Sequence, residues 1–350
     1  EEMAQKCGID PKSGKRIPFN VLSKEFMAHY FDVLHHPYEK DGVDFWWIDW
    51  QQGSHTKVEG LDPLWIFNHY HFLDNKRNGK RPMTFSRYAG PGSHRYPVGF
   101  SGDTWITWAS LDFQPYFTAS ASNIGFGWWS HDIGGFHKGI EDNELYTRFV
   151  QLGVFSPILK FGSGNSKYYK REPWKWSIKT YTIAKDYLKL RHRLIPYLYT
   201  EAYNYTKSGT PLIQPFYYNY MWVYDDELYR NQYYFGSQLL VCPILDRMDT
   251  TMNRTIHRFF IPDGIWYDFI TGKKFPGNKK YVSFFKEEEY PVFAHAGSII
   301  PLSNRSDYNN IGLPVDLEIQ IFPGVSNTYT MYEDDGETLS YENLVKVEYR

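Results

Sequence analysis

Between residues 20 and 245, short apolar runs alternate with stretches in which apolar side chains recur at intervals of three and four, the signatures of strand and helix in turn. The first such stretch, 25–34, predicts a helix; apolar runs at 43–48, 82–86, 125–129 and 239–244 predict strands, and 105–120, 141–153 and 178–207 predict helices. Strand, polar loop and helix in repetition predict βα units on a parallel sheet. Beyond Ile244 the texture changes. Strand-like runs are cut about every 8 to 12 residues by turns such as Pro262-Asp263-Gly264, Thr271-Gly272-Lys273 and Phe322-Pro323-Gly324, which predicts an antiparallel β-sandwich. The expected organisation is an α/β domain over 1–245, a β-sandwich over 246–313 and the start of a further β domain over 314–350.

Composition narrows the class. With 42% apolar residues the chain has ample material for a core, and an aromatic content of 19% leaves few aliphatics to build it. Lys and Arg number 38 against 40 Asp and Glu, for a net charge of −2, so the cationic field that nucleic acid or an anionic membrane demands is not expected. No apolar run approaches the roughly 20 residues that span a bilayer. The opening Glu1-Glu2-Met3-Ala4-Gln5 lacks the regions of a signal peptide and does not start at Met, which reads as a piece or a processed product. The expected protein is soluble, with cytoplasmic and secreted or lysosomal locations both open and no expectation for its oligomeric state. Cys7 and Cys242 are no disulfide framework, and triplets starting at Asn204, Asn253 and Asn304 would be glycan acceptors in a secretory pathway.

The chemistry concentrates in three segments. In Val43-Asp44-Phe45-Trp46-Trp47-Ile48-Asp49-Trp50-Gln51-Gln52, an apolar run ends in a carboxylate flanked by indoles and amides. Strand C-termini carry function in α/β folds, so Asp49 is a candidate; the bland alternatives are a helix cap or an Arg partner. The loop from Ser86 to Trp105 holds Arg87 at a strand end, fit for a carboxylate or sugar hydroxyls or for a structural ion pair, and Asp103, a second carboxylate or a helix N-cap. Two carboxylates on two strand-end loops meet the requirement of glycoside hydrolysis. In Gly127-Trp128-Trp129-Ser130-His131-Asp132-Ile133-Gly134-Gly135-Phe136, Asp132 is a candidate ligand for sugar hydroxyls, with the glycines permitting close backbone approach. His35-His36 and His69-x-His71 lack a third ligand and read as surface loops, and no dinucleotide fingerprint follows a strand, so neither metal nor cofactor is expected.

Trp47-Ile48-Asp49, Arg87, Phe100-Ser101-Gly102-Asp103 and His131-Asp132-Ile133-Gly134-Gly135-Phe136, in this order, resemble the signature blocks of glycoside hydrolase family 31, the α-glucosidase and α-xylosidase family. Phe235-Gly236-Ser237-Gln238-Leu239-Leu240-Val241-Cys242-Pro243-Ile244 resembles that family's last barrel strand, and Ala294-His295-Ala296-Gly297-Ser298-Ile299-Ile300-Pro301 its β domain. The resemblance implies the C-terminal portion of a (β/α)8 barrel followed by an all-β sandwich, and a retaining exo-α-glycosidase acting on a carbohydrate substrate. It implies Asp49 as nucleophile and Asp103 as general acid/base, with Trp47, Trp50, Arg87, Phe100, Asp132 and Phe136 around the first sugar.

Three departures qualify that expectation. Early barrel strands, and a substrate-binding Asp that the family carries there, do not precede Asp49, so these residues are expected to be part of a longer chain. Trp50-Gln51-Gln52 stands where familiar α-glucosidases carry Met-Asn-Glu, which keeps α-linked N-acetylgalactosamine and galactose open as substrates. Gly162, closing Ser156-Pro157-Ile158-Leu159-Lys160-Phe161-Gly162, stands where the family usually has a sugar-contacting His. Altered specificity or a non-catalytic carbohydrate-binding relative is the alternative.

Overall fold

The computed structural model describes residues 1–350 apart from 88–89, 97, 306–313, 315, 342–345 and 350. The chain divides into two compact units, Glu1–Phe100 with Glu337–Ser340, and Ser101–Gly336 with Tyr341–Arg350.

The first unit carries helices α1 (Glu2–Lys6), α2 (Lys24–Leu34), α3 (His36–Lys40) and α4 (Pro63–Asn75) and strands β1 (Trp47–Ile48), β2 (Phe85–Arg87) and β3 (Gly99–Phe100). The strands run parallel, with Trp47 opposite Phe85, Ser86 opposite Gly99 and Arg87 opposite Phe100. Helix α2 starts where Ser23 Oγ accepts from Phe26 N at 3.1 Å, and α4 where Asp62 accepts from Leu64 N at 2.8 Å ahead of Pro63. Their inward faces bury Met27, Phe31, Leu64 and Phe67 with Val21 and Ile48. Strand β1 is shorter than the expected 43–48: Asn75 Nδ2 donates to Asp44 O at 3.0 Å and so takes the carbonyl a ladder partner would use. His35 and His71, expected on surface loops, are 7% and 4% exposed and pack edge-on against Phe31 and each other.

The second unit opens with β4 (Trp105–Ile106), α5 (Trp108–Asn123), β5 (Trp129–Ser130), β6 (His137–Gly139) and α6 (Asn143–Val154), followed by α7 (Ile178–Arg193) and α8 (Ile195–Ser208). The helix expected over 105–120 starts later, because Thr107 Oγ1 caps it by accepting from Ser110 N at 3.1 Å; Asp103 is therefore not its cap. The expected helix 178–207 is two helices. Pro196 has no N–H to continue the ladder of α7, so the chain turns at Leu194 and Pro196 enters the first turn of α8.

The rest of the unit is antiparallel. Strands β7 (Ile213–Pro215), β8 (Tyr233–Phe235), β9 (Leu239–Val241), β11 (Ile265–Asp268), β12 (Lys274–Pro276) and β14 (Val292–His295) form one sheet in the order β12-β11-β14-β9-β8-β7, while β10 (Thr255–Ile261) pairs with β13 (Lys279–Phe285). Strands β15 (Ile299–Ser303) and β16 (Leu317–Ile321) pair with each other, as do β17 (Tyr329–Tyr332) and β18 (Lys346–Tyr349). This corrects the reading of 239–244 as a parallel barrel strand. Gly236, at φ +65°, reverses the chain between β8 and β9, and β9 then takes β14 as its other neighbour. The sheet thus runs across position 246, where a domain boundary was expected, and the boundary expected at 313 lies outside the described residues. Phe149 and Leu152 of α6, Tyr197 of α8, Val241 and Val292 share one core.

Candidate active site

In the first unit the C-terminal ends of the three parallel strands bring Asp49, Arg87, Trp47 and Phe100 together. Arg87 Nε donates to Asp49 Oδ1 at 2.5 Å, and both side chains are about two-thirds or more buried. The parallel register sets this up, since Arg87 ends β2 one step past the residue opposite Ile48, the residue before Asp49. The guanidinium also sits over the Phe100 ring, 5.6 Å from its centroid. Trp47 stacks on Phe85 at 4.9 Å and meets Phe100 edge-on at 5.1 Å, while remaining 46% exposed. A carboxylate beside a guanidinium and a half-exposed indole suits attack on, and stacking against, a sugar ring. Trp50, one residue past Asp49, is 65% exposed. Phe85 escaped the sequence reading because its role depends on the β1–β2 register.

In the second unit, Asp103 is exposed in the irregular segment Ser101-Gly102-Asp103-Thr104 that leads into β4. Ser101 N donates to Ser130 O at 3.0 Å, Thr104 N to Asp132 Oδ2 at 3.3 Å, and Thr104 O accepts from Phe136 N at 2.5 Å and His137 N at 3.3 Å. Phe136 is half-buried. Gly135 of this block does approach a backbone closely, but it is that of β4: its Cβ would lie 2.8 Å from Ile106 Cα, and one on Gly139, just beyond the block, 2.1 Å from Ile106 O, while Gly134 faces the Arg171 and Tyr146 side chains.

Asp132 departs from expectation. A ligand for sugar hydroxyls needs an accessible oxygen, whereas the Asp132 side chain is wholly buried, with Oδ1 bound by the Lys160 ammonium and Oδ2 by Thr104 N. Burial holds its carboxyl above the usual range, an upward shift that Lys160 and the Thr104 N–H offset only in part. Lys160 was missed. The signal was its spacing, since residues 160 and 162 of an extended segment share a face, and Ile158 and Phe161 do form parallel bridges to Ser130 and Ile133. Among the described residues no group of three His, Cys, Asp or Glu side chains is placed to hold a metal ion.

Short parallel strands followed by helices, with acids and aromatics at the strand ends, define an α/β protein whose candidate chemistry sits at the C-terminal ends of its strands. The family model of the glycosyl hydrolases family 31 TIM-barrel domain matches residues 5–201, and that of the family's C-terminal domain residues 209–300. The chain belongs to glycosyl hydrolase family 31. It carries the family's barrel sequence followed by its C-terminal β domain. It is 30% identical to alpha-glucosidase 2 of Bacillus thermoamyloliquefaciens over 78% of this chain and 35% of that protein, and 28% identical to an alpha-xylosidase of Saccharolobus solfataricus over 93% and 47%. Among solved structures it resembles a family 31 dextranase of Flavobacterium johnsoniae complexed with glucose, with a TM-score of 0.81 and 25% identity over 97% of this chain and 46% of that one. An alpha-xylosidase of Xanthomonas citri gives 0.80 and 25% over 94% and 40%. The chain spans less than half the length of each of these relatives. No helix among the described residues is long and apolar enough to cross a membrane.

Proposed function

We propose that the chain is the catalytic part of a retaining exo-α-glycosidase of α-glucosidase type, acting on terminal α-linked sugars of oligosaccharides or glycosides. The observation that carries this reading is the Asp49 carboxylate at the end of β1, clasped by Arg87 and flanked by the exposed Trp47 ring. The relatives named alpha-glucosidase and alpha-xylosidase support it further. Asp49 attacks the anomeric carbon as the bond to the leaving oxygen breaks, and Asp103 gives its proton to that oxygen. Water then adds to the anomeric carbon of the glycosyl ester, its proton passing to Asp103, and the sugar departs with its configuration retained. Trp47, Trp50 and Phe136 supply stacking faces; Phe100, 1% exposed beneath the Arg87 guanidinium, is instead a buried support for Arg87, which holds the nucleophile.

The test is chemical rescue in the full-length protein. Asp103→Ala should lose activity on maltose and, given azide and an activated aryl α-glucoside, yield the α-glucosyl azide. Formation of the β-azide, or of no azide at all, overturns the roles given to Asp49 and Asp103.

A further inference from the structure

Asp132 has no open side, which leaves the question of what it does. One oxygen is held by Lys160, whose side chain is 12% exposed, and the other receives the N–H of Thr104, the residue following Asp103. Residue 162 borders that ion pair, and a side chain there would press on it. A Cβ on Gly162 would lie 3.2 Å from Lys160 Nζ and 3.3 Å from Asp132 Oδ1, closer than carbon rests comfortably against either. Lys160, Gly162 and Asp132 therefore form one device. The ammonium compensates a buried charge, and the bare α-carbon of Gly162 leaves the pair unpressed. The output of the device is Thr104 N. With Thr104 O held by Phe136 N and His137 N, and Ser101 N by Ser130 O, that bond fixes the end of the segment on which Asp103 stands, while Gly102 at φ +88° bends it.

We infer that Lys160 is a positioning residue that acts through Asp132 on the segment carrying Asp103, and that Gly162 leaves its ion pair unpressed. The inference rests on the reading of Asp103 as the general acid/base. A misplaced acid hurts departure of a group that needs its proton and spares departure of one that does not. A merely structural role of Lys160 lowers both alike.

The full-length enzyme is therefore assayed, with glucose or xylose, whichever it hydrolyses faster, on two substrates: the α-glycosyl fluoride, whose fluoride leaves unprotonated, and the methyl α-glycoside, whose methanol does not. For Lys160→Met the expected loss in kcat/KM is about 10- to 100-fold on the methyl glycoside, a share of the total that general acid catalysis supplies, and under about 3-fold on the fluoride. Lys160→Arg should recover part of the methyl glycoside activity. Should Lys160→Met fail to fold, Gly162→Ala, which presses on the same ion pair, should show the same split at about 3- to 10-fold. Equal losses on both substrates, or no loss in a folded variant, overturn the inference. Asp103→Ala separates the two readings: if it too fails to discriminate between the leaving groups, the general-acid assignment itself falls, and if it discriminates while the Lys160 and Gly162 variants do not, only the positioning role falls.

Discussion

Arg87 Nε lies 2.5 Å from Asp49 Oδ1, with the same guanidinium laid over the ring of Phe100. The planar fork thus does two things at once, fixing one carboxylate oxygen and covering an aromatic face, and a lysine ammonium reproduces neither geometry. Arg87→Lys is expected to keep the charge and the fold yet lower kcat/KM on an aryl α-glucoside about 100-fold, the scale on which a misplaced reacting group is felt. Steady-state kinetics on the full-length variant, with circular dichroism to verify folding, check this; wild-type kinetics in the variant would remove Arg87 from the site.

The close approach of β6 to β4 depends on a missing side chain. Gly139 sits at φ +134°, where its Cβ would fall 2.1 Å from Ile106 O. Gly139→Ala should destabilise the protein by more than about 2 kcal/mol, since both the backbone region and the carbonyl oppose it. Gly209→Ala, at φ +74° but in open space, should cost about 1 kcal/mol from the backbone alone. Thermal unfolding of the two variants side by side tests the difference.

Arg148 is fully buried in α6 and reaches the segment joining β13 to β14. It donates to Gln151 Oε1 and Glu289 O at 2.9 Å, to Thr255 Oγ1 at 3.2 Å, and to Glu287 O and Lys286 O at 3.3 Å. Replacing it by Met removes the donor from the buried Gln151 Oε1 and Thr255 Oγ1 and from the part-buried carbonyls of Lys286 and Glu289, so Arg148→Met should cost about 3–5 kcal/mol. A melting temperature within a degree or two of wild type would show that water or a shifted neighbour takes over the role.

Burial lowers the pKa of His71 and of His131 to about 3, and that of His257 to about 4. Each ring stays neutral in the folded protein, while the unfolded chain takes up a proton near 6.5. The unfolded state thus binds more protons as the pH falls through that value. The stability contributed by these rings is complete above 6.5 and is lost as pH falls from 6.5 toward 3, by about 1.4 kcal/mol per pH unit for each ring. Melting temperatures between pH 7 and pH 5 should fall accordingly, and His131→Phe, which cannot titrate, should show a shallower decline. An unchanged slope in that variant would count against His131 as a contributor.

Much of the site was legible because its signals are local. An apolar run ending in Asp49 among indoles marks a strand terminus whatever surrounds it, and the helix expected at 25–34 follows from apolar spacing, the structure adding Ser23 as its cap. The ordered blocks around Arg87, Asp103 and Asp132 likewise carried the family resemblance without any knowledge of contacts. Other decisions required partners distant in the chain. Apolar periodicity could not say that 239–244 pairs antiparallel with 292–295, because a buried strand reads the same in either direction. Nor could it see that Pro196 splits one helical pattern in two. The plainest case is Asp132. Its place in a family block suggested an exposed sugar ligand, yet desolvation and the reach of Lys160 across the bare α-carbon of Gly162 turn it inward. Sequence settled which residues stand at the strand ends, since backbone periodicity is a short-range property; tertiary structure alone decided which of them face outward, since burial and charge pairing depend on atoms that chain order does not bring together.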